Sequence, residues 1–197
     1  FATRVMSLLQ STARATSEAL AVTRGSCNVA LLPTDTPLRR NASLMAIAAN
    51  GTLSLLANVT GGIEPVFSFV LRQTVEGQVM HQMQPTLRRI LIEHGLSERV
   101  IGQIIEELVN GAAPDDIELI PASIRKIMVC AHDLSPDDHI RLQATFQSFI
   151  DGGISKTVNL PSSSCVDDIA AAILNARISG CVGVSLYRDG SINDQPL

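Results

Sequence analysis

The residues of this chain best suited to holding an anion are Asn50, Gly51 and Thr52, with Ser54 just beyond. A strand that ends in a glycine turn and a helix start aims free backbone N–H groups and the positive end of the helix dipole at one point. The Thr52 and Ser54 hydroxyls could add hydrogen bonds to a phosphate there. The same residues also read as Asn-Gly between apolar runs, a strong hairpin signal. Spacing alone leaves the two readings open.

Lys156 is the second candidate. It sits in an otherwise apolar segment, ISKTVNL at 154–160. A lysine there needs a carboxylate partner or the open end of a sheet, so it either pairs structurally or faces a substrate. His139, Gln143 and Gln147 recur at helical spacing and suit a hydrogen-bonded packing face better than a ligand site. His132, Asp133, Asp137, Asp138 and His139 could suggest a metal, but a solvated acidic helix start explains them better. Glu64, in Gly62-Ile63-Glu64-Pro65, reads as a buried turn residue bonded to backbone. Tyr187 and Arg188 read as anchors of the turn that follows them. Cys27, Cys130, Cys165 and Cys181 form no CxxC pair, so they are expected to be reduced, partly buried thiols with no disulfide framework and no metal set.

The elements that must position these groups follow from periodicity. Residues 2–23 read as a helix with Val5, Leu8, Leu9, Ala13, Ala19 and Leu20 on one face, stopped by Gly25. A loop is expected at 33–37 and a strand at 43–48. Residues 66–74 and 78–83 could pair as a hairpin across Glu76-Gly77. Pro85 suits a first helical turn, and Ser97 can cap a helix that runs to Gly111. Ser135-Pro136-Asp137-Asp138 resembles a capping box, with its helix reaching about Ile150. The last third reads as strand 154–160, a helix capped within 164–167, and strand 182–187. The helix would carry Ile169, Ala172, Ile173 and Ala176 inward and end at Gly180. That order implies a right-handed parallel crossover and an α/β fold.

Composition agrees. With 197 residues the chain can form one domain, 1–197, with a sizeable core. Hydrophobic residues make up 46% and aromatics only 3%, so the apolar weight is aliphatic, as in strands buried on both faces. The mean hydropathy of +0.25 points to a large core or to apolar surface meant for a partner. Five arginines against Glu18 and Asp35 mark residues 1–50, whereas 90–140 is acidic. No Lys/Arg run with interleaved aromatics argues for direct nucleic-acid binding. No apolar run approaches the roughly 18 residues of a membrane span. No signal-peptide pattern is seen, so a cytoplasmic location is expected.

Several segments in order carry a resemblance. They are Arg40-Asn41-Ala42-Ser43, Ala48-Ala49-Asn50-Gly51-Thr52-Leu53-Ser54 and Gly62-Ile63-Glu64-Pro65-Val66-Phe67. Downstream come His139-Ile140 with Gln143 and Gln147, Ile154-Ser155-Lys156-Thr157-Val158-Asn159-Leu160-Pro161, and Tyr187-Arg188-Asp189-Gly190-Ser191. Together they resemble the C-terminal part of the catalytic barrel of vitamin B12-dependent (class II) ribonucleotide reductases. The likeness spans roughly residues 15–195 and is strongest at 40–70 and 136–191.

The resemblance implies part of a ten-stranded α/β barrel. It makes Ala49, Asn50, Gly51, Thr52, Leu53 and Ser54 the substrate-phosphate loop and leaves Lys156 a possible substrate-side group. The family usually has Pro-Thr-Gly-Thr where this chain has Ala49-Asn50-Gly51-Thr52, so a proline and a hydroxyl are replaced. With the resemblance, loop-then-helix is expected over the hairpin. The family's radical cysteine lies in Asn-x-Cys-x-Glu, a pattern that occurs nowhere in this chain. No catalytic residue is therefore assigned here. The implied activity, ribonucleotide to deoxyribonucleotide with adenosylcobalamin, belongs to a whole assembly and not to this chain alone. The implied partners are a nucleotide substrate and either a companion chain with the radical cysteine or further copies of this one. The alternative is a non-catalytic, self-associating binding or regulatory module derived from the same fold.

Overall fold

A computed structural model describes residues 1–28, 37–75 and 78–191. The elements in chain order are α1 (Ala2–Arg24), α2 (Gly51–Ala57), β1 (Val70–Val75), β2 (Gln78–Met83), α3 (Pro85–Glu93) and α4 (Glu98–Val109). They continue with α5 (Ala122–Arg125), α6 (Pro136–Gln147), β3 (Thr157–Leu160), α7 (Val166–Ile178) and β4 (Ser185–Arg188), besides two short 3-10 turns. Within the span read as one domain, contacts gather into two compact units. Among the described residues, the first holds those of 1–49 and 136–187, and the second those of 50–135 and 188–191.

In the first unit, α6 packs on both α7 and β3. Ile140, Val158, Ala172 and Ala176 form its core, flanked by Cys181, Val184 and Leu186. β3 and β4 are hydrogen-bonded neighbours on either side of α7. Both strands are shorter than expected. Cys165, within the expected 164–167, is the N-cap of α7, and its backbone N–H donates to Asp168 Oδ2 at 2.8 Å. That bond holds the Asp168 carboxyl below its usual range. Of the expected inward face of α7, Ala172 and Ala176 are buried, while Ile173 is exposed.

α1 is turned differently from the expectation. It buries Met6 and Ser17 and leaves Val5, Leu8 and Leu9 exposed. Polar contacts set this rotation. Ser17 Oγ donates to Asn41 Oδ1 at 3.1 Å, and the backbone N–H of Arg40 donates to Ser17 O at 2.8 Å.

The strand expected at 43–48 is not regular. It makes one parallel bridge, Ile47 to Ile154. Around the bridge, Gly152 N–H donates to Met45 O at 2.9 Å and Ser155 N–H donates to Ile47 O at 2.8 Å. The backbones approach closely at Gly152, where a Cβ would lie 2.7 Å from Met45 O. Only glycine fits without a shift.

The second unit folds as the patterns suggest. β1 and β2 pair antiparallel, from Val70 opposite Met83 to Val75 opposite Gln78. Residues 66–69, which were read as part of the first hairpin strand, precede it. Pro85 opens α3, whose Leu87 N–H donates to Gln84 Oε1 at 2.8 Å. Ser97 caps α4. Met83, Leu87, Leu91, Ile101, Ile104, Ile117, Ile120, Ile124 and Met128 form one core. The expected loop at 33–37 falls mostly outside the described residues. Among the described residues, the four strands make two two-stranded sheets and no closed barrel. No helix of the described residues is long and apolar enough to cross a membrane.

Candidate functional site

Asn50 and Gly51 resolve into a helix start, and the hairpin signal is overridden. α2 begins at Gly51, and Ser54 N–H donates to Asn50 O at 2.8 Å. Ser54 Oγ donates to Gly51 O at 2.6 Å, so this hydroxyl's proton is taken by its own turn. Asn50, Gly51, Thr52 and Leu53 are exposed, as is Ala49 at the end of the first unit. The helix ends at Asn58 in the left-handed region, φ 53°, with Val59 N–H returning to Ser54 O.

Ser54 also borders a cavity of about 250 Å³ whose wall includes Asn58, Phe67, Ser68, Arg72 and Gln84. A second cavity of about 410 Å³ shares Val59, Thr60 and Val66 and runs toward Leu87 and Met128. The sequence reading did not single out Arg72 or Gln84. Both lie far along the chain from Ser54, and only the β1–β2 hairpin and the entry to α3 bring them to it.

Lys156 is buried in the first unit. Its Nζ lies 2.7 Å from His139 Nδ1 and donates to Thr157 O at 2.9 Å. An ammonium has donors only, so with a charged lysine the imidazole accepts through Nδ1. His139, Gln143 and Gln147 do share a buried face of α6. Gln143 Nε2 donates to Gly183 O at 2.7 Å. Gln147 Nε2 donates to Ile150 O and Gly152 O, each at 2.9 Å. The face therefore ties α6 to the loops before β3 and β4.

A bracket that the sequence reading missed lies beside it. The Asp151 carboxylate accepts from the backbone N–H groups of Leu44 and Met45 at 3.0 Å and lies 3.7 Å from Arg39. Partial burial pushes the Asp151 carboxyl up. The two N–H donors and Arg39 outweigh it and hold the group below its usual range. An acid just before Gly152-Gly153 was the available signal.

The other candidates disperse. Among the described residues no three His, Cys, Asp or Glu side chains converge as a metal site. Asp133 Oδ2 accepts from Cys130 N–H at 2.7 Å, Asp137 accepts from Asn175, and His132 meets Phe67 edge-on at 4.5 Å. Glu64 is half-buried in its turn, with its N–H donating to Gly61 O. All four cysteines are free thiols. Burial first, then Asp133, pushes the Cys130 thiol up to about 12 against the hydrogen bond from Phe69, and burial raises Cys181. Neither is poised as a thiolate nucleophile.

The pieces of α/β structure and the helix start after residue 50 define a class. Residues 38–187 match the family model described as ribonucleotide reductase, barrel domain, and the chain belongs to that family. It is 32% identical over 201 residues to a vitamin B12-dependent ribonucleoside-diphosphate reductase of Mycobacterium tuberculosis, covering all of this chain and 28% of that protein. It is 35% identical over 162 residues to the protein of the same name from Thermoplasma acidophilum, covering 80% of this chain and 20% of that protein. The fold is similar to the class Id ribonucleotide reductase alpha subunit of Actinobacillus ureae, with a TM-score of 0.70 and 21% identity. That match covers 96% of this chain and 34% of the subunit. The chain thus spans under a third of the curated relatives it matches.

Proposed function

We propose that this chain supplies late barrel wall and the substrate-phosphate loop, residues 49–54, of an adenosylcobalamin-dependent ribonucleotide reductase. The assembly replaces the ribose 2'-hydroxyl of a ribonucleoside diphosphate, the substrate class in the relatives' names, with hydrogen. The observation that carries this reading is the family match over 38–187 together with the absence of Asn-x-Cys-x-Glu from the chain. The radical cysteine then lies outside these 197 residues, which are inactive by themselves.

Adenosylcobalamin supplies the radical when bound to the whole assembly. Among the described residues, cavities within single units include ones of about 250, 410 and 650 Å³. These suit ligands of ordinary small-molecule size, and a corrinoid is much larger. This chain's residues do not fit the cofactor by themselves, and no step is assigned through it. Their part is to position substrate phosphate. Thr52 is exposed on the first turn of α2, where its hydroxyl and the free N–H groups of that turn are available to an anion.

Calorimetric titration of the purified chain with a ribonucleoside diphosphate tests this. Binding is expected, weakened roughly three- to tenfold in Thr52→Ala, about the worth of one hydrogen bond. Turnover is expected only after a chain carrying Asn-x-Cys-x-Glu is added. Reduction by the purified chain alone, given cobalamin and dithiol, would sink the reading. A second reading, the non-catalytic self-associating module, is favoured by Ser54, whose hydroxyl proton is already held by Gly51. A chain that ignores nucleotides with or without a companion would establish it.

A further inference from the structure

Asn-Gly occurs twice in the chain, at Asn50-Gly51 and at Asn110-Gly111. Such a pair is open to a spontaneous reaction. The backbone nitrogen after the asparagine loses its proton and attacks the side-chain carbonyl carbon, Cγ. The new C–N bond closes a five-membered succinimide, and the side-chain nitrogen leaves as ammonia. Water then opens the ring at either carbonyl, giving aspartate or its β-linked isomer. The sum is amide plus water to acid plus ammonia, so nothing is oxidised or reduced. Glycine makes the attack easiest because no Cβ crowds its nitrogen. Nucleophile and carbonyl belong to one chain, so ring closure is intramolecular.

The two pairs sit in different backbone settings. Both are exposed, so solvent access does not separate them. Asn110 is the C-cap of α4 at φ −79° and ψ 3°, and Gly111 follows in the left-handed region at φ 90°. Gly111 N–H donates to Leu108 O at 3.1 Å, and Ala112 N–H donates to Glu107 O at 3.0 Å. These two bonds close the helix as a Schellman motif and occupy the nitrogen that would attack. Gly51 instead opens α2, where the first N–H groups have no intrahelical acceptor. Among the described residues no hydrogen bond engages the Gly51 N–H or the Asn50 side-chain amide. The peptide between them is held on its carbonyl side, where Ser54 N–H donates to Asn50 O.

We propose that Asn50 is a site of spontaneous deamidation, and that the Schellman bonds shield Asn110 from the same reaction. The product sets a carboxylate at the helix start. Its effect on nucleotide rests on the phosphate-loop reading, whereas the site itself does not. Peptide mapping by mass spectrometry, on the purified chain held folded in mildly alkaline buffer, tests it. Residue 50 is expected to turn from amide to acid at least about fivefold faster than residue 110, the worth of the hydrogen bond Gly111 must give up. In urea, where neither turn persists, the two rates should converge. Gly51→Ala adds a Cβ that meets nothing within 4 Å. It should slow conversion at Asn50 severalfold and leave Asn110 unchanged. Equal rates in the folded chain, or a faster Asn110, overturn the proposal. So does a difference that persists in urea, since local sequence would then be its cause. Conversion indifferent to Gly51→Ala would take the Gly51 nitrogen out of the reaction and overturn it too. Asn50→Asp, the direct product, is expected to bind a ribonucleoside diphosphate roughly tenfold more weakly than wild type, from like charge beside the phosphate. A fresh wild-type chain that binds no nucleotide refutes the phosphate-loop reading alone, and the mapping still decides the site.

Discussion

The second unit gathers its buried apolar residues into one large cluster, whereas the first sets a small cluster beside hydrogen-bonded polar groups; both leave apolar side chains outside. In the second unit, nine buried aliphatic and methionine residues from β2, α3, α4, α5 and their connections form one cluster. In the first, the core cluster has four buried members. Beside it lie the buried side chains of Arg39, His139, Gln143, Gln147 and Lys156, while Leu8, Leu174, Ile178 and Val182 are exposed. Burial of aliphatic area drives folding, and buried polar groups only break even when they are fully bonded. The second unit therefore draws its stability from one aliphatic cluster, and the first from a smaller one joined to bonded polar groups.

Ile104 gives the sharpest way to break that contrast. It is fully buried in the second unit's cluster. Ile104→Ala is expected to destabilise by about 3 kcal/mol, from lost transfer free energy and the cavity left behind. Val182→Ala, in the first unit at a 70% exposed position, should cost under about 0.5 kcal/mol. Urea unfolding at fixed chain concentration measures both. Equal losses would mean that the exposed apolar residues of the first unit are covered in solution after all.

The next effect falls on the polar interior. Lys156→Met keeps most of the side chain's bulk but removes the donor facing His139 Nδ1 and the Thr157 carbonyl. Leaving those acceptors buried is expected to cost about 2 kcal/mol. If Lys156 acts only as a structural pair, nucleotide affinity should not change. A selective loss of nucleotide binding at unchanged stability would move Lys156 to the substrate side.

What was legible in the sequence follows the same division. The second unit's hairpin, Pro85, Ser97 and α4 were readable because local signals and apolar period agree with what is buried there. The first unit misled at 43–48, where an apolar run makes one bridge, and on α1, whose apolar face is outside. Period misreads the inward face where polar contacts set the rotation, as they do for α1. Asn50-Gly51 was ambiguous because a two-residue turn signal fits a hairpin and a helix start alike. The Arg39–Asp151 bracket joins residues far apart along the chain, and no local pattern announces such a pair.

That bracket also gives the smallest expected effect. The folded-state Asp151 carboxyl lies below its ordinary value of 3.8. Its contribution is therefore present in full above that value and is lost as pH falls through the lower folded-state value. The carboxylate side chain is 36% exposed, so solvent screening limits the contribution to under about 1 kcal/mol. Asp151→Asn should be slightly less stable than wild type near neutral pH. The gap should narrow as both are acidified below pH 3.8, toward the lowered folded-state value of the carboxyl. Urea midpoints of the pair at both pH values measure this. A gap that widens on acidification would mean the carboxyl is held above its ordinary value, and that burial outweighs the two backbone donors and Arg39. The first unit's polar interior would then be destabilising even at its best-bonded acid.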